Sequence, residues 1–185
     1  MDAQSPPVRA AADATRPKPG IAYEALPTRG DLDFRLIELF FFAYREFTAD
    51  ADEILERYGF GRAHHRILHF VNRDPGMTIA EILDLLQITK QSLSRVLRQL
   101  IEDGFVAQLP GSDDRRQRRL YPTDKGRALT LELSHAQARR IDEAMASARI
   151  EDPGAVGAFL LRMGNDRPAT REWFRKKGIE EDAER

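Results

Sequence analysis

The stretch from Thr78 to Gly126, TIAEILDLLQITKQSLSRVLRQLIEDGFVAQLPGSDDRRQRRLYPTDKG, decides the fold. Thr78 can cap a helix, with Glu81 three residues on as its capping-box partner. Ile79, Ile82, Leu83, Leu85 and Leu86 form the apolar side of that helix. Gln87-Ile88 makes the connection, and Thr89 can cap a second helix, which ends near Asp103-Gly104 where glycine gives a left-handed stop. The second helix carries Lys90, Gln91, Ser92, Ser94, Arg95 and Arg98 on one side and Leu93, Val96, Leu97 and Leu100 on the other. Phe105 to Leu109 then alternates weakly, the turn chemistry of Pro110-Gly111-Ser112-Asp113 follows, and Arg118 to Tyr121 is the return strand, which predicts a β-hairpin with a long tip over Phe105 to Tyr121.

Helices flank this segment on both sides. From Asp33 to about Tyr58, Ile37, Phe41, Tyr44, Ala51, Leu55 and Tyr58 recur at helical spacing, with one turn missing at Thr48. Phe40, Phe41 and Phe42 widen the apolar surface beyond one stripe, which implies burial on two sides, against a partner subunit or around an apolar pocket. Gly59 and Gly61 end that helix, Ala63 to Val71 forms a short buried one, and Asp74-Pro75-Gly76 is a turn. Thr123 opens a long helix bearing Leu129, Leu133, Ala136, Ile141, Ala144, Met145 and Ala148, and a short helix with Val156, Phe159, Leu160 and Met163 follows Asp152-Pro153-Gly154. Residues 1–30, with Pro6, Pro7, Pro17, Pro19 and Pro27, read as a disordered arm, with DNA contact through Arg9, Arg16 and Lys18 as the minor alternative. Residues 167–185 read as a polar tail in which Trp173-Phe174 is isolated.

Composition sets limits on function. The chain has 185 residues, 42% of them hydrophobic and 32% charged, which suits one domain with tails. A net charge of −1 argues against unspecific coating of nucleic acid, so any such binding must come from local basic clusters. The absence of cysteine excludes disulfides, thiolate metal sites and a cysteine nucleophile. No apolar run approaches the roughly 18 residues of a membrane span, and no secretory signal core is visible, so a cytoplasmic protein is expected. Glycine-rich phosphate loops, a G-x-S-x-G elbow and an H-E-x-x-H helix are all missing. The expectation is a protein that is not an enzyme and needs no cofactor.

The second helix has the chemistry of a duplex reader. A helix about 10–12 Å across fits the major groove of B-DNA, and its N-terminal side chains reach base edges. Here these are Thr89, Lys90, Gln91, Ser92, Ser94 and Arg95, with Arg98 one turn on. Arginine and lysine donate to guanine, and glutamine pairs with adenine. The hairpin tip, with Asp113, Asp114, Arg115, Arg116, Arg118 and Arg119, adds a second basic contact suited to the narrow minor groove. Asp114 can hold the Arg116 guanidinium in one geometry.

Asp-x-Arg at Asp114 to Arg116, Thr123-Asp-Lys-Gly126 and the preceding Leu100-Ile-Glu-Asp-Gly-Phe-Val106 resemble the winged helix of MarR-type transcriptional regulators. The resemblance runs from about Asp33 to Asn165. It implies a mainly α fold, a winged helix-turn-helix (helix-turn-helix about 78–102, two-stranded wing about 105–121) within a domain over 31–166. It implies dimerisation helices about 33–58 and 123–165, a homodimer on double-stranded DNA, Lys90 to Arg98 as major-groove readers, Arg116 as minor-groove arginine and Asp114 as its orienter. Pro122 departs from the family's usual leucine, which would end the outgoing strand early, and Arg118 and Arg119 make the wing more basic than usual. The wording Arg115-Arg-Gln-Arg-Arg-Leu-Tyr-Pro122 is similar to a PetP-like branch.

The resemblance also implies a small aromatic or lipophilic effector, for which Phe41, Tyr44 and His65 are the candidate pocket residues. Packing of the aromatics in a dimer core is the alternative. His65 and His69 stand four apart, a metal-compatible spacing, but no third ligand is convincing and no metal is expected. Two other readings of the whole chain are a winged-helix protein–protein adaptor and a ligand-sequestering protein without DNA binding. The adaptor predicts apolar residues on the outer side of the helix at 89–102, where the sequence places polar and basic ones.

Overall fold

The computed structural model describes residues 32–111, 117–164 and 167–179. The elements are α1 (Phe34–Glu56), α2 (Arg62–Arg73), β1 (Met77–Thr78), α3 (Ile79–Leu86), α4 (Lys90–Glu102), β2 (Val106–Pro110), β3 (Arg118–Pro122), α5 (Asp124–Ser147), α6 (Pro153–Gly164) and α7 (Pro168–Lys177). The chain divides into two units at Phe41/Phe42. In the first, Leu36, Ile37, Leu39 and Phe41 are all exposed. The second holds the core and every strand. Among the described residues no helix is long and apolar enough to cross a membrane.

The core forms around α2, whose Ile67, Leu68 and Val71 are fully buried and which packs against α4, α5 and β3. Ile82 of α3, Leu93, Val96, Leu97 and Leu100 of α4, Leu120 of β3 and Leu129 and Leu133 of α5 complete it. The inner half of α1 contributes Thr48, Ala51 and Leu55. Thr48, where the sequence pattern loses a turn, is buried with the apolar residues. Its hydroxyl stays within hydrogen-bond reach of the Tyr44 and Arg45 carbonyls at 3.1 and 3.0 Å, so the helix itself satisfies the polar atom.

The sheet has three strands rather than the expected two, in the order β1-β3-β2, all antiparallel. Met77 pairs with Leu120 and Thr78 with Arg119. Two residues carry no periodicity, so β1 had no sequence signal. Pro122 does not shorten β3: it is the last strand residue and stands opposite Val106. Its missing N–H costs nothing at a strand end. The segment read as a polar tail holds α7, and Trp173 is buried with its ring edge-on to Phe70 at 4.9 Å. One aromatic in a charged window gives no helical stripe, which is why the pattern hid it.

Capping agrees closely with the sequence. Thr78 Oγ1 accepts from the Glu81 amide while the Glu81 carboxylate accepts from the Thr78 amide. Thr89 accepts from the Ser92 amide, and Thr123 from the Gly126 amide. Gly126 matters for a further reason. A Cβ placed there would lie 2.0 Å from the Phe105 carbonyl oxygen, a backbone atom that cannot swing away. Gly126→Ala should therefore destabilise the fold by about 3 kcal/mol or more, above the usual range for an added methyl group. Thermal or urea denaturation checks this, and an unchanged midpoint would contradict the packing described.

Candidate nucleic-acid interface

α4 forms where a capping threonine precedes a strong apolar stripe. Leu93, Val96, Leu97 and Leu100 face the core. Their burial turns Thr89, Lys90, Gln91, Ser92, Ser94, Arg95 and Arg98 outward, and all seven are exposed. Among the described residues none of Lys90, Arg95 and Arg98 makes an ion pair. The N-terminus of α4 adds its own positive potential to that face. Behind it, the Gly61 amide donates to His64 Nδ1 at 3.1 Å, which leaves Nε2 as the donor to Gln99 Oε1 at 2.9 Å and ties α2 to α4.

The wing is joined rigidly to this helix. After Glu102 the chain reverses at Gly104 with φ of +75°, a conformation glycine adopts without strain. The Phe105 amide donates to the Leu100 carbonyl at 2.8 Å, and the Thr123 amide donates to the Phe105 carbonyl at 3.2 Å. Thr123 Oγ1 donates to the Gly104 carbonyl at 2.7 Å, and Lys125 Nζ lies 4.1 Å over the Phe105 ring while donating to the Asp103 carbonyl. The end of α4, the base of the wing and the start of α5 are thus one hydrogen-bonded block.

The wing cations do not share one role. Asp114, Arg115 and Arg116 lie outside the described residues. Arg118 is exposed. Arg119 turns to the base of the wing, where Nη1 donates to the Gly76 carbonyl at 3.0 Å and Nη2 reaches Gln117 at 3.4 Å. Its guanidinium ties β3 to the turn before β1, a use invisible in the run of arginines.

A concavity of about 290 Å³ is lined by Tyr44, Phe47, Thr48, Arg62, His65, Arg66, His69, Phe70 and Gln137. It brings Tyr44 and His65 together. Phe41 is not among the lining residues and is exposed. As pocket residues Arg62 and Arg66 escape a reading of the sequence, although Arg62/Arg66 repeat at four on α2 as His65/His69 do, a spacing that puts each pair on one face. Burial pushes both imidazoles below their ordinary pKa. For His65 the neighbouring His69 adds to the effect, and for His69 the charge of Arg73 does. Among the described residues no group of three His, Asp or Glu is placed to hold a metal.

Comparison with known proteins points to the same segment. The sequence model of the MarR family matches residues 58–117. The HTH-type transcriptional regulator PetP of Rhodobacter capsulatus is 51% identical over 123 residues, which cover 66% of this chain and 72% of that one. Among solved structures, a MarR protein from Peptoclostridium difficile superposes with a TM-score of 0.63 at 20% identity, covering 84% of this chain and 99% of that one. The transcriptional regulator SlyA does so with a TM-score of 0.59 at 17% identity, covering 80% and 96%. At those identities the two structures establish the fold alone.

The two depressed imidazoles set a pH dependence. An imidazole held below its ordinary pKa binds a proton less readily folded than unfolded, so stability falls as pH drops through about 6.5. Urea denaturation at pH 7.5 and pH 5.5 should show this loss, and His65→Gln with His69→Gln should shrink it. An equal loss in the double variant would show that other groups carry it.

Proposed function

This chain belongs to the MarR family of transcriptional regulators, and from that premise we propose that it is a homodimer that binds double-stranded DNA sequence-specifically in the cytoplasm. The observation that carries the reading is the outer face of α4, cationic and free of ion pairs among the described residues, on the same rigid block as the wing. Thr89, Lys90, Gln91, Ser92, Ser94, Arg95 and Arg98 are assigned to the major groove. Arg118 contributes at the wing together with Asp114, Arg115 and Arg116, while Arg119 acts mainly as a strut. The polar outer face of α4 argues against a protein–protein adaptor, which would show apolar residues there.

Dimerisation is supported by Ile141 on α5 and by Phe159, Leu160 and Met163 on α6, each close to half exposed or more. Apolar side chains gathered on exposed helices mark an association surface. In such a homodimer the two recognition helices stand about 34 Å apart, one turn of DNA. The cleft containing Tyr44 and His65 is proposed as the effector site. Its aromatic walls and Arg66 suit a small aromatic or lipophilic molecule with an acidic or hydroxyl group.

Affinity for duplex should fall by about 0.9 log units per tenfold rise in salt for each phosphate contact. Random-site selection should return a two-fold symmetric motif. Gln91→Ala and Arg95→Ala should each relax one base position, at about 1–3 kcal/mol for a bidentate contact. Identical motifs from both variants would remove those residues from base reading. Light scattering of the free chain should give twice the mass of one subunit, and a monomer would defeat the dimeric arrangement.

A further inference from the structure

α7 packs along α3, the first helix of the helix-turn-helix, and its two ends bond the segments that flank that helix, the C-terminal end of α2 and the turn at Gln87. At the near end, Lys176 and Lys177 both bind the Asp74 carboxylate, and Lys177 Nζ also donates to the Arg73 carbonyl at 2.7 Å. The side chains of Lys177 and Asp74 are only 14% and 19% exposed, so solvent screens this pair weakly. Burial raises the Asp74 pKa, but hydrogen bonds from the two ammonium groups outweigh it and hold the carboxyl below its ordinary value. Lys177 also lies 4.9 Å over the Trp173 ring, which is itself locked against Phe70.

At the far end, Arg167 Nη1 donates to Gln87 Oε1 at 3.1 Å. Gln87 is the residue at which the chain turns from α3 into α4, and it sits at φ +52°, a left-handed backbone unusual for a side chain of this size. Its Nε2 donates to the Asp84 carbonyl. The strained turn is therefore held from both sides, by its own helix and by α7. A small backbone change at Gln87 re-aims the next helix in the chain, α4.

We propose that α7 is a clamp that fixes the pose of the recognition helix, and that Arg167, Trp173, Lys176 and Lys177 are positioning residues for DNA recognition that do not contact DNA. The proposal rests on the DNA-binding reading. It explains why a charged C-terminal segment keeps a buried tryptophan and places two lysines on one carboxylate beside the reading lobe.

The test uses the full chain. Arg167→Ala removes only the far grip at an exposed residue and should leave the fold intact. It should speed amide hydrogen exchange at residues 87–89 and in α3, leave α5 exchange unchanged, and weaken duplex binding roughly fivefold, the low end of couplings between separate sites. The salt slope of binding should stay at the wild-type value. A slope reduced by one contact would mean that Arg167 touches phosphate, and the clamp would be overturned. At the near end, Asp74→Lys should weaken binding and speed α3 exchange, and combining it with Lys176→Asp and Lys177→Asp should restore both. Wild-type exchange and affinity in Arg167→Ala and Asp74→Lys would overturn the proposal. If the wild-type chain binds no duplex at low salt, the DNA-binding reading falls by itself, and the exchange data alone then decide whether α7 governs α3.

Discussion

The close approach of the Phe105 carbonyl to Gly126 is the contact on which the rest depends. It lets the first turn of α5 press against the strand leaving α4 without an intervening side chain. Phe105 is buried at the crossing, with its amide bonded back to α4 and its carbonyl bonded forward to Thr123. Because three elements meet there through backbone groups, neither helix nor wing can shift alone. The two features proposed to grip one duplex need a fixed separation, and a backbone junction supplies it better than side-chain packing, which relaxes.

Charge is distributed to the same end. The chain is nearly neutral, so its cations are useful only where they are left unneutralised. Elsewhere they are consumed: Arg140 by Asp50, Arg62 by Asp52, Arg57 by Glu132, Lys176 and Lys177 by Asp74. The Arg140–Asp50 pair joins α5 to α1 through two hydrogen bonds and holds the Asp50 carboxyl below its ordinary pKa. Among the described residues, the outer face of α4 keeps its positive charges free of such pairs. A local field on a neutral body favours specific docking over indiscriminate adhesion to polyanions.

α2 links the concavity to α4. Its buried side carries Ile67, Leu68 and Val71 into the core, its start bonds to α4 through His64 and Gln99, and other positions line the concavity with His65, His69, Arg62 and Arg66. The lining of the concavity and the placement of α4 thus rest on one short helix. Asn72 at its end donates to both the Leu68 carbonyl and Thr130.

The sequence by itself determined the winged helix-turn-helix. Threonine caps at Thr78, Thr89 and Thr123, glycine at Gly104 and the leucine-and-valine stripe of α4 are local signals, and local hydrogen bonding and periodicity carried them into the structure unchanged. The outward face of α4 was readable for the same reason, since the inward face fixes its opposite. Tertiary structure alone decided the rest. β1 exists only because β3 lies beside it. Arg119 becomes a strut because the Gly76 carbonyl lies within its reach, while Arg118 next to it stays exposed. Trp173 enters the core because Phe70, far away in sequence, offers it a wall. Each of these rests on contacts between residues dozens of positions apart, and no pattern confined to one segment can encode which distant partner will arrive.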